Sequence, residues 1–231
     1  MNTFSRRQFI AGVGGLGIGA FLTGCNKEGA SKEVTATEDL MREHGVLRRA
    51  LFVYSVAASR LRGGSSPVSP DALQKTAKLF RTFGEEYHEK QLEEEHIFPA
   101  VKKAGGVAAG YAEVLVAQHQ RGREITDYIL HVTRGTKMDA NDATPLATAL
   151  ERLVWMYRPH AAKEDTVVFP AWKQVLTDKQ YDEMNDRFED IEREQFGMDG
   201  FEMAVRQISD IEAALGLADL AQFTPQRLPF R

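Results

Sequence analysis

The sequence has almost no cysteine and no run of basic residues. Its single cysteine, Cys25, excludes an internal disulfide framework and any zinc or iron–sulfur site built on cysteine. The lack of a basic run and the formal net charge of -4 argue against nucleic acid as a partner. No segment alternates apolar and polar residues, so no strands are expected. Any bound metal must therefore be held by histidine, aspartate and glutamate side chains.

The chain also lacks an apolar run long enough for a membrane span. The apolar part of residues 1–24 is shorter than the about 20 residues that a bilayer requires. It follows Arg6 and Arg7 and ends in Leu-Thr-Gly before Cys25, so it resembles a twin-arginine signal with a bacterial lipobox. The resemblance implies cleavage before Cys25, a lipid on its sulfur, and export to the periplasmic side of a bacterial membrane. Residues 25–37 are then the lipidated cysteine and a flexible tether; an uncleaved anchor and an ordinary cleavage site are the alternatives.

The rest of the chain has apolar residues every three to four positions, which predicts an all-α protein. Short glycine- and proline-containing connections predict an up-down-up-down four-helix bundle over residues 38–176, with additional helices in residues 177–231. That C-terminal extension is expected to cap the bundle or to form a homodimer contact. The predicted helices are 38–62 with Thr37 as N-cap, one from Ser69-Pro70, 107–134, one after Pro145, one from Asp178 with Thr177 and Gln180 in a capping box, and about 200–215.

Four histidines are predicted to lie at one level of this bundle, one on each long helix. They are His44, His88, His119 and His160. Between consecutive histidines the chain follows one helix to a connection and returns along the next helix. These two stretches have similar lengths. With a rise of about 1.5 Å per residue, each histidine returns to within roughly 5 Å of the height of the one before. Since the chain has only 6 histidines, this arrangement indicates a metal site.

The fourth long helix adds a carboxylate to this level. Glu164 lies four residues after His160, so the two side chains share one helix face and can bind one metal or bridge two. Asp165 is the alternative carboxylate. Glu164 precedes Pro170 by six residues, just as Glu93 precedes its own proline in the second helix. This weak internal repeat points to two equivalent carboxylates.

Glu93 does not have the same spacing from its histidine. It lies five residues after His88, which on a regular helix leaves the two side chains some 140° apart. A local π-bulge would bring them onto one face, and such bulges are common at functional sites. Glu89, which is adjacent to His88, is the alternative ligand from this helix.

Taken in order, these motifs resemble the hemerythrin-like (HHE) family of non-haem di-iron four-helix bundles. The resemblance rests on His44, His88 with Glu93 before Phe98-Pro99, His119 in Gln-His-Gln-Arg, and His160 with Glu164 before Phe169-Pro170. It implies two iron ions bridged by two carboxylates, with an open position for dioxygen or nitric oxide. The oxygen-carrying members have a second histidine on the third long helix, four residues after the position of His119, where this chain has Arg123. Redox chemistry, nitric oxide binding or iron sensing is therefore favoured over reversible oxygen carriage.

The expected function is that of an exported di-iron protein, anchored by lipid to a membrane, which binds a diatomic ligand for sensing, storage or detoxification. Histidine with carboxylate also suits manganese or zinc, and iron is what the family implies. One alternative is an oxidoreductase that turns over peroxide or nitric oxide with an external electron donor. Another is a metal-free envelope scaffold.

The remaining histidines and several aromatic residues are predicted to have other roles. His96 is expected to be solvated or ion-paired, and His131 to be structural because it lies about 18 Å along the helix from His119. Four aromatic residues are expected in the core or around the ligands, with Tyr87 or Tyr157 donating to a ligand carboxylate. These four are Tyr54, Tyr87, Trp155 and Tyr157.

Overall fold

Four long helices form the bundle that carries the candidate site. The computed structural model describes residues 34–64 and 68–227, and within them it contains no strand. The predicted signal and Cys25 lie outside the described residues. The bundle helices are α1 (Ala36–Gly63), α2 (Pro70–Leu79, then a π-helical segment Phe80–Ile97, then Phe98–Ala104), α3 (Gly106–Val132), and α4 (Ala143–Lys163, then a π-helical segment Glu164–Val168, then Phe169–Val175). The predicted all-α class is therefore confirmed.

The N-cap of α1 differs from the prediction. Thr35, not Thr37, has an extended backbone and accepts a hydrogen bond from the Glu38 N–H at 3.4 Å. The Thr37 N–H and hydroxyl instead meet the Tyr181 hydroxyl at 3.0 Å and 2.9 Å. Either threonine can cap a helix, and this contact with the C-terminal part of the chain occupies the hydroxyl of Thr37.

Two other predicted helix starts are confirmed. Ser69 caps α2, its hydroxyl accepting from the Ala72 N–H at 3.3 Å, and Pro70 opens the helix. Thr177 and Gln180 form the capping box that starts α5 (Asp178–Phe196). A last helix, α6, covers Gly200–Ala214.

Contacts at both ends show that α1 and α4 are antiparallel. Arg62, near the end of α1, donates to Glu151 near the start of α4 at 2.8 Å. His44, near the start of α1, contacts Asp165 near the end of α4 at 2.6 Å. The corresponding contacts are Arg81–Asp127 and Lys102–Glu113 for α2 and α3, and Tyr54–Phe80 and His44–His88 for α1 and α2. Side chains at matching heights of these helices therefore meet.

Helices α5 and α6 cover one side of the bundle. The Phe188 ring of α5 stacks on buried Trp172 with centroids 5.5 Å apart. The Phe196 ring of α5 lies edge-on to buried Tyr87 of α2, 5.2 Å between centroids. The C-terminal helices thus complete the core. None of the described helices combines the length and the apolar character needed to cross a bilayer.

Trp155 is not in the core, and this prediction was wrong. Its side chain is 80% exposed, whereas Tyr54, Tyr87 and Tyr157 are buried. Trp155 lies five residues before His160 on α4, so a regular helix turns it some 140° away from the inward face of that histidine. Its position next to two buried apolar residues in the sequence obscured this rotation.

Candidate metal centre

The structure brings the four predicted histidines together in the middle of the bundle. The Nε2 atoms of His44 and His88 are 3.0 Å apart, and those of His119 and His160 are also 3.0 Å apart. All four side chains are buried, with at most 3% exposed. Each helical hairpin, α1 with α2 and α3 with α4, therefore contributes one pair of imidazoles.

The other ring nitrogen of each histidine faces an oxygen that can only accept a hydrogen bond. Each Nδ1–H therefore donates, and each Nε2 points into the centre, where it carries a lone pair in the neutral ring. The four contacts are His44 Nδ1 to Asp165 Oδ1 at 2.6 Å, His88 Nδ1 to Glu43 Oε2 at 2.6 Å, His119 Nδ1 to Glu94 Oε1 at 3.0 Å, and His160 Nδ1 to Gln118 Oε1 at 2.8 Å.

Two glutamates connect the imidazole pairs. Glu93 places Oε1 3.3 Å from His88 Nε2 and Oε2 3.3 Å from His119 Nε2. Glu164 places Oε2 3.5 Å from His44 Nε2 and Oε1 3.0 Å from His160 Nε2. All four carboxylate oxygens are buried and have no hydrogen-bond partner among the described residues.

This donor set fits metal cations. The Nε2 atoms of each pair face each other at 3.0 Å, and buried carboxylate oxygens without partners are costly in a low-dielectric interior. Burial and the charge of Glu93 raise the pKa of Glu164 well above its ordinary value. Burial and then the charge of His119 lower the pKa of His160 well below its ordinary value. A cation at each imidazole pair would satisfy the nitrogens and the carboxylate oxygens together.

Wide helical turns occur at both central glutamates, although Glu164 already shares the face of His160 through regular four-residue spacing. The Glu93 carbonyl accepts from the Phe98 N–H five residues later, and the Glu164 carbonyl accepts from the Phe169 N–H in the same way. The π-helical geometry predicted between His88 and Glu93 is thus confirmed, and α4 contains a second such segment that the sequence analysis did not predict. The extra residue per turn rotates Glu93 onto the face of its histidine.

The phenylalanines of the two Phe-Pro motifs cover the imidazoles. Phe98 stacks on His119 with centroids 5.6 Å apart and an interplanar angle of 24°. Phe169 stacks on His44 at 5.4 Å and 25°. Each ring comes from one hairpin and covers a histidine of the other, so the motifs exclude water from the centre as well as shaping the turn.

The two alternative carboxylates lie outside the ring of Nε2 atoms. Asp165 is the Nδ1 partner of His44. Glu89 accepts a hydrogen bond from the Tyr157 hydroxyl, and its Oε2 is 4.0 Å from His119 Nδ1, on the outer side of that ring. Of the two candidates from α2, Glu93 is therefore the carboxylate that the structure places among the Nε2 atoms.

Arg123 stands where the oxygen-carrying members have a second histidine on this helix. Its guanidinium donates to Glu94 Oε1 at 2.6 Å and to Glu89 Oε2 at 3.3 Å. It therefore neutralises two acids beside the centre and does not point a lone pair into it. The adjacent Gly122 has no side chain, and a Cβ there would lie 2.6 Å from the Tyr157 hydroxyl oxygen.

Sequence reasoning missed three of the four Nδ1 partners: Glu43, Glu94 and Gln118. A detectable signal existed for Glu43, because it is an acid on the buried stripe of α1. Tyr87 or Tyr157 was predicted to donate to a ligand carboxylate; Tyr87 donates to Glu43, and Tyr157 donates to Glu89, the alternative ligand from α2.

The two remaining histidines lie away from the centre. His96 is partly buried against the Phe188 ring, 5.8 Å between centroids. His131 is exposed and lies 3.4 Å from the Arg134 guanidinium. Neither points toward the Nε2 cluster, so His131 provides a control for the four central histidines.

Comparisons with known proteins agree with this geometry. The sequence profile of the hemerythrin HHE cation binding domain matches residues 35–172. Uncharacterized protein Rv1995 of Mycobacterium tuberculosis (strain ATCC 25618 / H37Rv) is 44% identical over 193 residues, which is 83% of this chain and 74% of the relative. Uncharacterized protein Mb2018 of Mycobacterium bovis matches with the same figures. No solved structure matches the chain. The chain belongs to the hemerythrin HHE cation-binding family.

Proposed function

We propose that this protein holds two iron ions in the bundle centre. One position lies between His44 and His88, and the other lies between His119 and His160. Glu93 and Glu164 would each offer one oxygen to each position, alongside the two imidazoles there. The supporting observation is that each carboxylate has one oxygen near each imidazole pair and no other hydrogen-bond partner among the described residues.

Iron in this donor set supplies redox chemistry and the ability to bind dioxygen or nitric oxide. Mixed histidine and carboxylate ligands in a bundle suit a dinuclear iron centre. Iron held by these residues would supply the binding of a small diatomic ligand. We therefore assign the protein to binding of a diatomic ligand for sensing, storage or detoxification.

The residues of this chain hold the centre in place and keep it dry. The Nδ1–H groups of the histidines donate to fixed oxygens, which locks the ring orientation and the tautomer. The stacked rings of Phe98 and Phe169 close the centre against water from two sides. A small apolar ligand can enter such a site at lower cost than a charged one.

Metal analysis tests the proposal directly. After anaerobic reconstitution with ferrous iron, we expect two irons per chain and a visible absorption band when the reduced protein meets oxygen. His160→Ala should lose metal and the band, whereas the control His131→Ala should keep both, because His131 is exposed and away from the centre. Well under one iron per wild-type chain, with unchanged stability, would favour a metal-free scaffold. Sustained consumption of peroxide or nitric oxide with a chemical reductant would favour the oxidoreductase.

We also propose that the protein is exported and attached to a bacterial membrane by a lipid on Cys25. The support is the paired arginines, the short apolar stretch and the Leu-Thr-Gly-Cys ending. Metabolic labelling with a fatty acid should mark the wild-type chain and leave Cys25→Ser unlabelled. Equal labelling of the two chains, or none in the wild type, would contradict lipidation.

A further inference from the structure

The two helical hairpins build the centre from matching positions. In each hairpin, the residue just before the first histidine accepts a hydrogen bond from Nδ1 of the second histidine. The residue after each central glutamate bonds to Nδ1 of a histidine in the other hairpin. The matching positions are Glu43 and Gln118, His44 and His119, His88 and His160, Glu93 and Glu164, Glu94 and Asp165, and Phe98 and Phe169.

Only one of the matching acceptors is uncharged. Glu43 accepts from His88 as a carboxylate at 2.6 Å, whereas Gln118 accepts from His160 as an amide at 2.8 Å. A hydrogen bond to a carboxylate is about twice as strong as one to a neutral acceptor. It draws the Nδ1 proton toward the oxygen and makes Nε2 a better metal donor. His160 is therefore a weaker donor than His88.

The other two acceptors also give the stronger hydrogen bond to the histidine of the α1–α2 hairpin. Asp165 accepts from His44 at 2.6 Å, whereas Glu94 accepts from His119 at 3.0 Å. Both carboxylates also contact a cation, Arg48 for Asp165 and Arg123 for Glu94. Glu94 also forms an ion pair with Lys90 at 3.3 Å, so its charge is shared among more donors. Both imidazoles of the α3–α4 hairpin thus have the weaker partner.

We infer that the two metal positions are unequal, and that the one between His119 and His160 binds its metal more weakly and exchanges it first. Gln118 sets this difference as a positioning residue, acting on the metal through His160. The inference rests on the proposed dinuclear centre. Outer partners of this kind typically change metal affinity by about 10- to 100-fold. Under limiting metal, the protein would hold a single ion between His44 and His88.

Zinc titration of the full chain, followed by nitrogen-15 NMR of the histidine rings, tests the order of binding. Zinc is diamagnetic and takes histidine and carboxylate ligands. At one equivalent of zinc, the Nε2 signals of His44 and His88 should shift, and those of His119 and His160 should shift only with the second equivalent. Partial shifts in both pairs at one equivalent would overturn the inference, even though they would leave the proposed centre intact. A chain that binds no zinc and no iron would refute both.

Two isosteric variants test the cause with a competing chromophoric chelator. Gln118→Glu should tighten the second binding event by about tenfold or more and leave the first unchanged. Glu43→Gln should weaken the first event by a similar factor. If Gln118→Glu tightened the first event, or changed neither, Gln118 would not set the difference. A merely structural role of Gln118 would not give a tighter site, and the wild-type NMR result stands even if a variant folds poorly.

Discussion

Replacement of Gly122 by alanine tests how closely the outer ligand network is packed. A Cβ at this position would lie 2.6 Å from the Tyr157 hydroxyl oxygen and 3.0 Å from its ring carbon Cε2. Tyr157 is buried and donates to Glu89, so it has no free space to move into without breaking that hydrogen bond. We therefore expect Gly122→Ala to destabilise the protein.

The magnitude follows from three opposing contributions. Alanine gains about 0.5–1 kcal/mol over glycine in a helix interior. Overpacking at a buried site costs about 1–3 kcal/mol, and loss of a hydrogen bond to a charged group costs about 1.5–3 kcal/mol. The unfolding free energy of Gly122→Ala should therefore fall by about 3 kcal/mol. Gly110 is the matched control on the same helix, because nothing lies within 4 Å of a Cβ there, and Gly110→Ala should be neutral or stabilising.

Urea unfolding in the presence of a chelator measures both variants without a contribution from metal binding. A second test is the Tyr157→Phe background, in which the hydroxyl that the new Cβ would meet is gone. There the cost of Gly122→Ala should shrink by at least about 1 kcal/mol. If Gly122→Ala were as stable as Gly110→Ala, the close contact between this glycine and the tyrosine would be refuted.

Three further outcomes are expected. Burial and the charge of Glu89 raise the pKa of Glu85 to about 7 from 4.5. The raised pKa stabilises the folded state fully below about pH 4.5, and this stabilisation is lost as the pH rises through 7. Glu85→Gln should therefore gain up to about 3 kcal/mol of stability relative to wild type between pH 4.5 and 8, and a constant difference across that range would contradict this assignment. Trp155→Ala should change the unfolding free energy by less than about 0.5 kcal/mol, whereas buried Trp172→Ala should cost about 3–5 kcal/mol; similar costs for the two would contradict the exposure of Trp155. Chelation should lower the thermal midpoint, since metal at 100 times its dissociation constant stabilises by about 2.7 kcal/mol; an unchanged midpoint in calorimetry would count against a tightly bound metal.

Most of the fold and the inner part of the centre could be predicted from periodicity and spacing. Similar arm lengths place His44 and His119 at one height because the helical rise is constant. The five-residue gap between His88 and Glu93 predicted a wide turn because a regular helix could not put both on one face. These features follow from helix geometry alone.

The outer partners could not be predicted in the same way. Gln118 is adjacent to His119 in the sequence yet bonds to His160 on the next helix. Such a contact depends on the rotation and spacing of two packed helices, and no regular interval along the chain encodes it. Trp155 was misplaced for a different reason, because its five-residue distance from His160 already turns it away from the inward face of α4.

The C-terminal helices have a consequence for any attempt to isolate the hemerythrin HHE domain. The family profile ends at residue 172, but Phe196 supports the ring of Tyr87, whose hydroxyl donates to Glu43, the partner of His88. A protein severed after the fourth helix would lose this buttress and leave Trp172 without its stacking neighbour. The structural unit that supports the centre is therefore larger than the segment that the family profile matches, and shortened versions would report on an altered centre.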